Sequence, residues 1–241
     1  MKQILIWEWP TRIFHWLLVL VILFSFYSGL NGGLQEMEYH KLSGYCALTL
    51  VIFRVMWGFV SRGNARFSQF VVGPNAIFDY LKTSLQAHQL QTAQLQTAQL
   101  QTTQPKGHNP LGGLSVIAML TIILIQTSTG LFANDDIWIE GPLAYLVSEK
   151  VSGQLTSVHH LCAWFLGGLI ILHLSAIIFH TLFLKHHLIK TMITGYRDSA
   201  SQTDSHSLSL PQSQSQSHQY IAALILIFIA ASIVYAIVEY L

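Results

Sequence analysis

The segment HHLCAWFLGGLIILH, from His159 to His173, carries a histidine at each end of an apolar stretch. In a helix, the two histidines lie within about 40° of one face and roughly 21 Å apart along the axis. His160 points away from that face. Ionisable side chains inside membrane spans are costly and commonly mark functional sites. The segment therefore predicts a membrane helix with two histidines on one interior seam, at two depths.

The composition places this segment in a membrane protein. Of the 241 residues, 52% are hydrophobic and 10% are charged, whereas soluble domains carry about 25% charged residues. A net charge of +1 gives no indication of a nucleic-acid partner. About 20 apolar residues cross a bilayer, and five predicted spans reach that length: Arg12–Leu30, His40–Val60, Leu111–Ala133, Thr156–Leu184 and Tyr220–Leu241.

The chain divides into a transmembrane domain over residues 1–198, a polar linker over 199–219 and an extra transmembrane helix over 220–241. Within the first domain, residues 86–105 form a glutamine-rich insert that contains a five-residue repeat. Both polar segments are interpreted as flexible tethers, because they have too few apolar residues to form a core. We expect their histidines to be solvated: His88, His206 and His218.

Basic residues predict the orientation, because they accumulate in cytoplasmic loops. Ten of the twelve Lys and Arg residues fall on one side if the N-terminus is cytoplasmic: Lys2, Arg12, Arg54, Arg62, Arg66, Lys82, Lys106, Lys185, Lys190 and Arg197. The opposite loops hold only Lys41 and Lys150. We therefore expect a bacterial inner-membrane protein with its C-terminus outside.

Four histidines fall inside or at the ends of the predicted spans, and their depths suggest two pairs. His40 begins the second span on the outer side, close in depth to His159. His15 lies near the inner end of the first span and is assigned to His173. The inner match is poorer, because His173 is about 11 residues from the predicted helix end. A fourth helix that extends into the cytoplasm would improve it.

A haem between each pair explains this arrangement better than other metal sites. One metal ion cannot bind all four histidines, because metal–nitrogen bonds are near 2 Å. Two zinc ions with two ligands each would be undercoordinated. Two imidazoles on different helices can instead occupy both axial positions of one haem. Gly44, Gly167 and Gly168 would leave room for the macrocycle. Such a haem is suited to electron transfer.

Several motifs resemble one family, the bacterial cytochrome b561 and nickel–iron hydrogenase b-type cytochromes. The resemblance covers residues 3 to 198 apart from the glutamine repeat. Its motifs occur in order: WEWPTRIFHW from Trp7, HKLSGY from His40, RVMWGFV from Arg54, ARFSQFVVGP from Ala65, GHNPLGGLSV from Gly107, the fourth span from His159 to His180, and LIKTMITGYR from Leu188.

The resemblance implies an all-α membrane protein in which a four-helix bundle holds two haem b groups, with a fifth helix added at the C-terminus. It implies electron transfer between quinones and a redox partner such as a hydrogenase, a dehydrogenase or a c-type cytochrome. The family's haem ligands fall on His15, His40, His159 and His173. His108 belongs to a family motif and is interpreted as an interfacial or helix-capping residue.

Several alternatives stay open at this point. The histidines could line a proton or metal transporter, or the chain could anchor a periplasmic enzyme. The fifth helix is either a lipid-facing anchor or a docking helix for a partner subunit. Arg12, Lys41 and Arg54 could pair with haem propionates or lie at the interface. Three further histidines are predicted to be interfacial, with a possible role in quinone protonation: His180, His186 and His187.

Overall fold

The computed structural model describes residues 3–80, 82, 110–135, 139–183, 187–198 and 212–240. Its helices and strands are β1 (Gln3–Leu5), α1 (Trp9–Asn31), α2 (Leu34–Val60), α3 (Pro110–Gly130), α4 (Glu149–Leu182), α5 (Leu188–Thr194), β2 (Tyr196–Asp198) and α6 (Gln212–Tyr240). Residues 74–80 are helical, and Phe67–Gln69 and Ala144–Leu146 form 3₁₀ turns. The glutamine repeat, His88, His108, His186 and His206 lie outside the described residues.

Five described helices are long and apolar enough to cross a membrane: α1, α2, α3, α4 and residues Ser217–Tyr240 of α6. The chain is therefore an all-α, multi-pass membrane bundle, as the hydropathy pattern predicted. Each span includes the core of a predicted one, and the differences lie at the ends.

Local signals at the helix starts explain those differences. Pro10 in the first turn suits a start at Trp9, because proline lacks the N–H that has no helical partner there. The extended residue Gly33 precedes α2, so His40 is the seventh residue of its helix, not the first as predicted. Ser148 caps α4 by accepting a hydrogen bond from the Val151 N–H, which moves that helix start to Glu149.

The polar linker is shorter than predicted, because α6 begins at Gln212 and not at Tyr220. Helix α6 also has one buried face. Ala223, Ala230 and Val234 are buried in clusters with α2 residues, whereas Leu224 and Phe228 on other faces are exposed. The fifth helix is therefore part of the bundle, and only its remaining faces fit the prediction of a lipid-facing anchor.

Helix α2 is the centre of the packing. It contacts α1, α3 and α6, while α3 also packs along α4. Val51 and Trp57 of α2 are fully buried, and the Trp57 indole donates to the hydroxyl of Thr11 at 3.2 Å. Among the five spans, α1 and α4 share the smallest buried fraction. The histidines of the predicted site therefore lie on three helices, two of which have much apolar surface uncovered.

The helix ends that the basic residues predict to be cytoplasmic meet in a small assembly that we call the inner clasp: β1, β2, Arg12 and Gly195. Strands β1 and β2 pair antiparallel, with Ile4 opposite Arg197. The buried Arg12 side chain donates to the carbonyl of Ile193 and lies over the Trp9 ring. Gly195 has a φ of +86°, and a Cβ there would lie 2.8 Å from both Arg12 and the Trp7 carbonyl. Glycine is therefore required at this turn.

At the opposite end, the loop after α3 is fastened to α4. The Ser152 hydroxyl donates to the carbonyl of Phe132 at 2.7 Å, and the Asn134 N–H donates to the Thr156 hydroxyl at 3.0 Å. Ser152 and Thr156 lie one helical turn apart, and Thr156 is one turn before His159. These bonds set the height of the α3 end relative to His159.

Candidate haem site

The outer histidines, His40 and His159, lie next to each other in the structure. Their ring centres are 6.0 Å apart, and the ring planes are nearly perpendicular at 89°. One ring comes from α2 and the other from α4, as the depth argument predicted. We call these two side chains the outer pair.

Helix α1 contacts the His40 ring along its nitrogen edge. The Nδ1 atom lies 2.9 Å from the carbonyl oxygen of Ser25 and 3.5 Å from the hydroxyl of Ser28. A carbonyl oxygen can only accept, so Nδ1 carries the proton in the first of these bonds. In a neutral imidazole the Nε2 atom is then a lone-pair donor.

Helix α3 makes the same contacts with His159. The Nδ1 atom of His159 lies 2.9 Å from the carbonyl oxygen of Gln126 and 3.5 Å from the hydroxyl of Thr129. The tautomer is therefore the same as for His40, and Nε2 is again the nitrogen with the free lone pair.

The residue after each of these hydroxyl residues is a glycine that faces the imidazole ring. A Cβ added to Gly29 would lie 2.9 Å from Cε1 of His40, and one added to Gly130 would lie 3.0 Å from Cε1 of His159. Any side chain at either position would push on the imidazole. The observed ring positions therefore depend on glycine at both Gly29 and Gly130.

The side chain of Gln126 lies on the metal-binding edge of His159. Its Nε2 atom is 3.1 Å from Nε2 of His159, and its Oε1 atom is buried without a hydrogen-bond partner among the described residues. Sequence reasoning missed this residue, because the search considered ionisable groups and glutamine is neutral.

The inner histidines are His15 on α1 and His173 on α4, and we call these two side chains the inner pair. The His15 ring meets Trp16 edge-on, with ring centres 5.1 Å apart. Its Nδ1 atom is buried, and no described residue provides it with a hydrogen-bond partner. His173 is half-buried. The inner pair thus lacks, at His15, the carbonyl contact that both outer histidines have.

Helix α4 places its two histidines almost symmetrically. His159 is the eleventh residue of the helix, and His173 is the tenth from its end. The described helix ends at Leu182, near the predicted end at Leu184. Its earlier start at Glu149 places the two histidines at similar distances from the two helix ends. At 1.5 Å per residue the 14-residue interval separates them by roughly 21 Å.

The remaining candidates have separate positions. His160 and His218 are exposed, His180 is half-buried near the end of α4, and His187 precedes α5. Lys41 forms an ion pair with Glu38 at 2.7 Å. Arg12 and Arg54 are both buried. Arg54 donates to the carbonyl of Ala65 at 3.1 Å.

The glycines and aromatic residues divide into two groups. A Cβ at Gly44, Gly167 or Gly168 would have no heavy atom within 4 Å, so there is open space beside each. Of the aromatics, Trp57 belongs to the core, whereas Trp164 on α4 is 80% exposed. Within the described part of the chain, no group of three or more His, Cys, Asp or Glu side chains could hold a metal ion.

The fold and the paired histidines define a class of protein, a multi-pass helical membrane bundle with histidine side chains between its helices. A sequence profile of the family described as prokaryotic cytochrome b561 matches residues 6–195. The chain belongs to that family. It is therefore a haem-binding b-type cytochrome that carries out transmembrane electron transfer. Neither the curated proteins nor the solved structures contain a significant match.

Proposed function

We propose that the chain holds two haem b groups, one between His40 and His159 and one between His15 and His173. Through them it carries electrons between the quinone pool and a partner redox protein of a respiratory chain. The partner would be a hydrogenase, a dehydrogenase or a c-type cytochrome. The N-terminus is cytoplasmic in this proposal, and the membrane is the bacterial inner membrane.

The separation of the outer pair is the observation that carries the proposal. Two imidazoles that share one metal ion have ring centres about 6 Å apart, since each metal–nitrogen bond is about 2 Å and each nitrogen lies about 1 Å from its ring centre. The His40 and His159 ring centres are 6.0 Å apart. The outer pair therefore fits the two axial positions of one iron.

The hydrogen bonds of the outer pair support the same assignment. Histidine ligands commonly donate their second ring N–H to a carbonyl, which fixes the tautomer and the ring orientation. Both Nδ1 atoms contact backbone carbonyl oxygens. The Gln126 amide contacts Nε2 of His159, so it must turn aside for an iron to bind there.

Fewer contacts define the inner pair. The buried Nδ1 atom of His15 has no hydrogen-bond partner within the described ranges. His15 is the seventh residue of α1, which puts it in the same half of the bundle as His173. A second haem at this depth would lie close to the inner clasp.

Haem b, when bound, supplies one-electron chemistry between Fe(III) and Fe(II). The bundle contributes the ligands, their orientation and apolar surroundings that exclude water. With the two sites on opposite sides of the α4 midpoint, electrons can cross the bilayer in two stages. The identity of the protein partner depends on surfaces outside these sites.

Haem quantification of the purified, detergent-solubilised protein tests this function. We expect two haem b per chain in the pyridine haemochrome assay, with low-spin, six-coordinate bands in the air-oxidised and dithionite-reduced spectra. Well-folded protein without haem would overturn the proposal. One haem per chain would remove the inner site.

The orientation has its own test. A reporter that is active only outside the cytoplasm, fused after the last residue, is expected to be active. The same reporter in the loop between α2 and α3 is expected to be inactive. The reverse pattern would contradict a cytoplasmic N-terminus.

A further inference from the structure

Two six-residue segments repeat the same pattern at the outer ends of α1 and α3. They read SFYSGL from Ser25 to Leu30 and QTSTGL from Gln126 to Leu131. In each, a residue whose carbonyl oxygen accepts from a histidine is followed, three residues later, by a hydroxyl residue and then by glycine. We call Ser25, Ser28 and Gly29 the α1 clamp, and Gln126, Thr129 and Gly130 the α3 clamp.

The contacts of the two clamps agree atom by atom. The first residue accepts from a histidine Nδ1 at 2.9 Å through its carbonyl oxygen, in both clamps. The hydroxyl lies 3.5 Å from the same Nδ1 atom in both. The histidine belongs to the following helix each time, α2 for the α1 clamp and α4 for the α3 clamp.

Each hydroxyl also bonds to the carbonyl that the histidine uses. Ser28 donates to the carbonyl of Ser25 at 3.2 Å, and Thr129 donates to that of Gln126 at 3.0 Å. Both hydroxyls have a second acceptor one residue earlier, at 2.9 and 2.8 Å. The histidine N–H and the hydroxyl therefore share one carbonyl oxygen in each clamp.

We propose that the two clamps are matched positioning devices that fix the axial imidazoles of the outer haem and set its redox potential. This inference rests on the proposed outer haem. The glycine lets the helix backbone approach the ring edge, and the carbonyl then accepts the Nδ1 proton. The hydroxyl limits the strength of that bond by competing for the same oxygen.

The chemistry gives the direction of the effect. A hydrogen bond from Nδ1–H to a carbonyl makes the imidazole a more basic ligand. A more basic ligand stabilises Fe(III) relative to Fe(II), so it lowers the midpoint potential. Weakening the bond should raise the potential of the outer haem, and removing the competing hydroxyl should lower it.

Gly130→Ala and Thr129→Val test the two arms of this proposal. The new Cβ of Gly130→Ala would lie 3.0 Å from Cε1 of His159, so the ring must move and its bond to Gln126 weakens. We expect the ferric-to-ferrous equilibrium of the outer haem to shift about tenfold towards Fe(II), or ~59 mV for a one-electron couple. For Thr129→Val we expect a smaller shift of opposite sign.

The control is Gly153→Ala, on the exposed surface of α4, where a Cβ would meet no atom within 4 Å. It should leave both potentials unchanged. The readouts are a potentiometric titration and the EPR spectrum of the ferric protein. The perpendicular outer rings should give a strongly anisotropic low-spin signal, which Gly130→Ala should alter.

The outcomes separate the clamps from the outer haem itself. Loss of the outer haem in Gly130→Ala, with both haems kept in Gly153→Ala, supports the clamp. Unchanged potentials and EPR in a haem-replete Gly130→Ala variant overturn it. If Gly130→Ala does not fold, the sign of the Thr129→Val shift decides, and no shift overturns the proposal. A wild-type protein without an outer haem would instead contradict the proposed function.

Discussion

The outer and inner histidine pairs are held in different ways. Both outer rings contact a backbone carbonyl through Nδ1. Their orientation is therefore set by atoms in direct contact with each imidazole. The His15 Nδ1 atom has no such partner in the described part of the chain. The inner end has instead the inner clasp, which fixes the start of α1 from outside the bundle. Local contacts therefore orient the outer pair, and the framework positions the inner one.

Removing one ligand from each pair should have the largest effect. We expect His159→Ala and His173→Ala each to lose one of two haems, because a five-coordinate haem with one protein ligand is held weakly. Only His159→Ala should remove the EPR signal of the perpendicular pair. His160→Ala is the matched control, since His160 is exposed beside His159. Full haem content in His159→Ala would refute the outer site.

The inner clasp offers a second contrast. Arg12→Gln loses the charged hydrogen bond to Ile193 and the contact with Trp9. We expect a loss of about 1.5–3 kcal/mol in the free energy of unfolding, measured by thermal denaturation in detergent. The absorption bands of the inner haem should change, while the outer EPR signal stays. An outer signal that changes equally would show that the two sites are not held independently.

The α2–α6 contact is built from apolar side chains, and changes there should affect neither haem. Ala230 is fully buried, so Ala230→Leu overpacks that contact and should cost about 1–3 kcal/mol. Phe228→Leu is the control, because Phe228 is 74% exposed on another face of α6. Haem content should stay the same in both variants. Equal stability of the two would contradict the packing of α6 in the bundle.

The smallest expected effect concerns Glu8, just before α1. Burial raises the pKa of its carboxyl above the usual 4.5, although the Gln219 amide, with its nitrogen facing Glu8, donates to both carboxylate oxygens at 3.0 and 3.1 Å. The native state thus binds this proton more tightly than the unfolded state does. The contribution of Glu8 to the free energy of unfolding is therefore fully present below pH 4.5, and it is lost as the pH rises through the raised pKa.

Glu8→Gln removes that titration. Its stability relative to the wild type should improve from pH 4 to pH 7, in denaturation curves measured at several pH values. A stability difference that does not vary with pH would show that the Glu8 carboxyl does not titrate differently in the native state.

The sequence predicted the spans and the proximity of His40 and His159, because both follow from simple patterns. Hydropathy locates apolar helices, and 14 residues return a helix to nearly the same face. Helix starts were harder to predict, since they depend on local contacts: the Ser148 side chain caps α4, and the extended residue Gly33 precedes α2. The early start of α2 is the reason that His40 lies inside its helix.

The two clamps could not be predicted from ionisable residues alone. The pattern in SFYSGL and QTSTGL is visible in the sequence, but it consists of neutral residues whose carbonyls and missing side chains do the work. A search for ionisable groups passes over it. The buried face of α6 was missed for a similar reason, because a uniformly apolar helix gives no indication of which side faces protein.

The pairing itself is tested most directly by haem content in a double variant, His40→Ala with His159→Ala. If the two imidazoles share one iron, the double variant should keep one haem per chain, the same as either single variant. If His40 and His159 instead belonged to different haems, the double variant would lose both. One haem would support the account, and none in folded protein would contradict it.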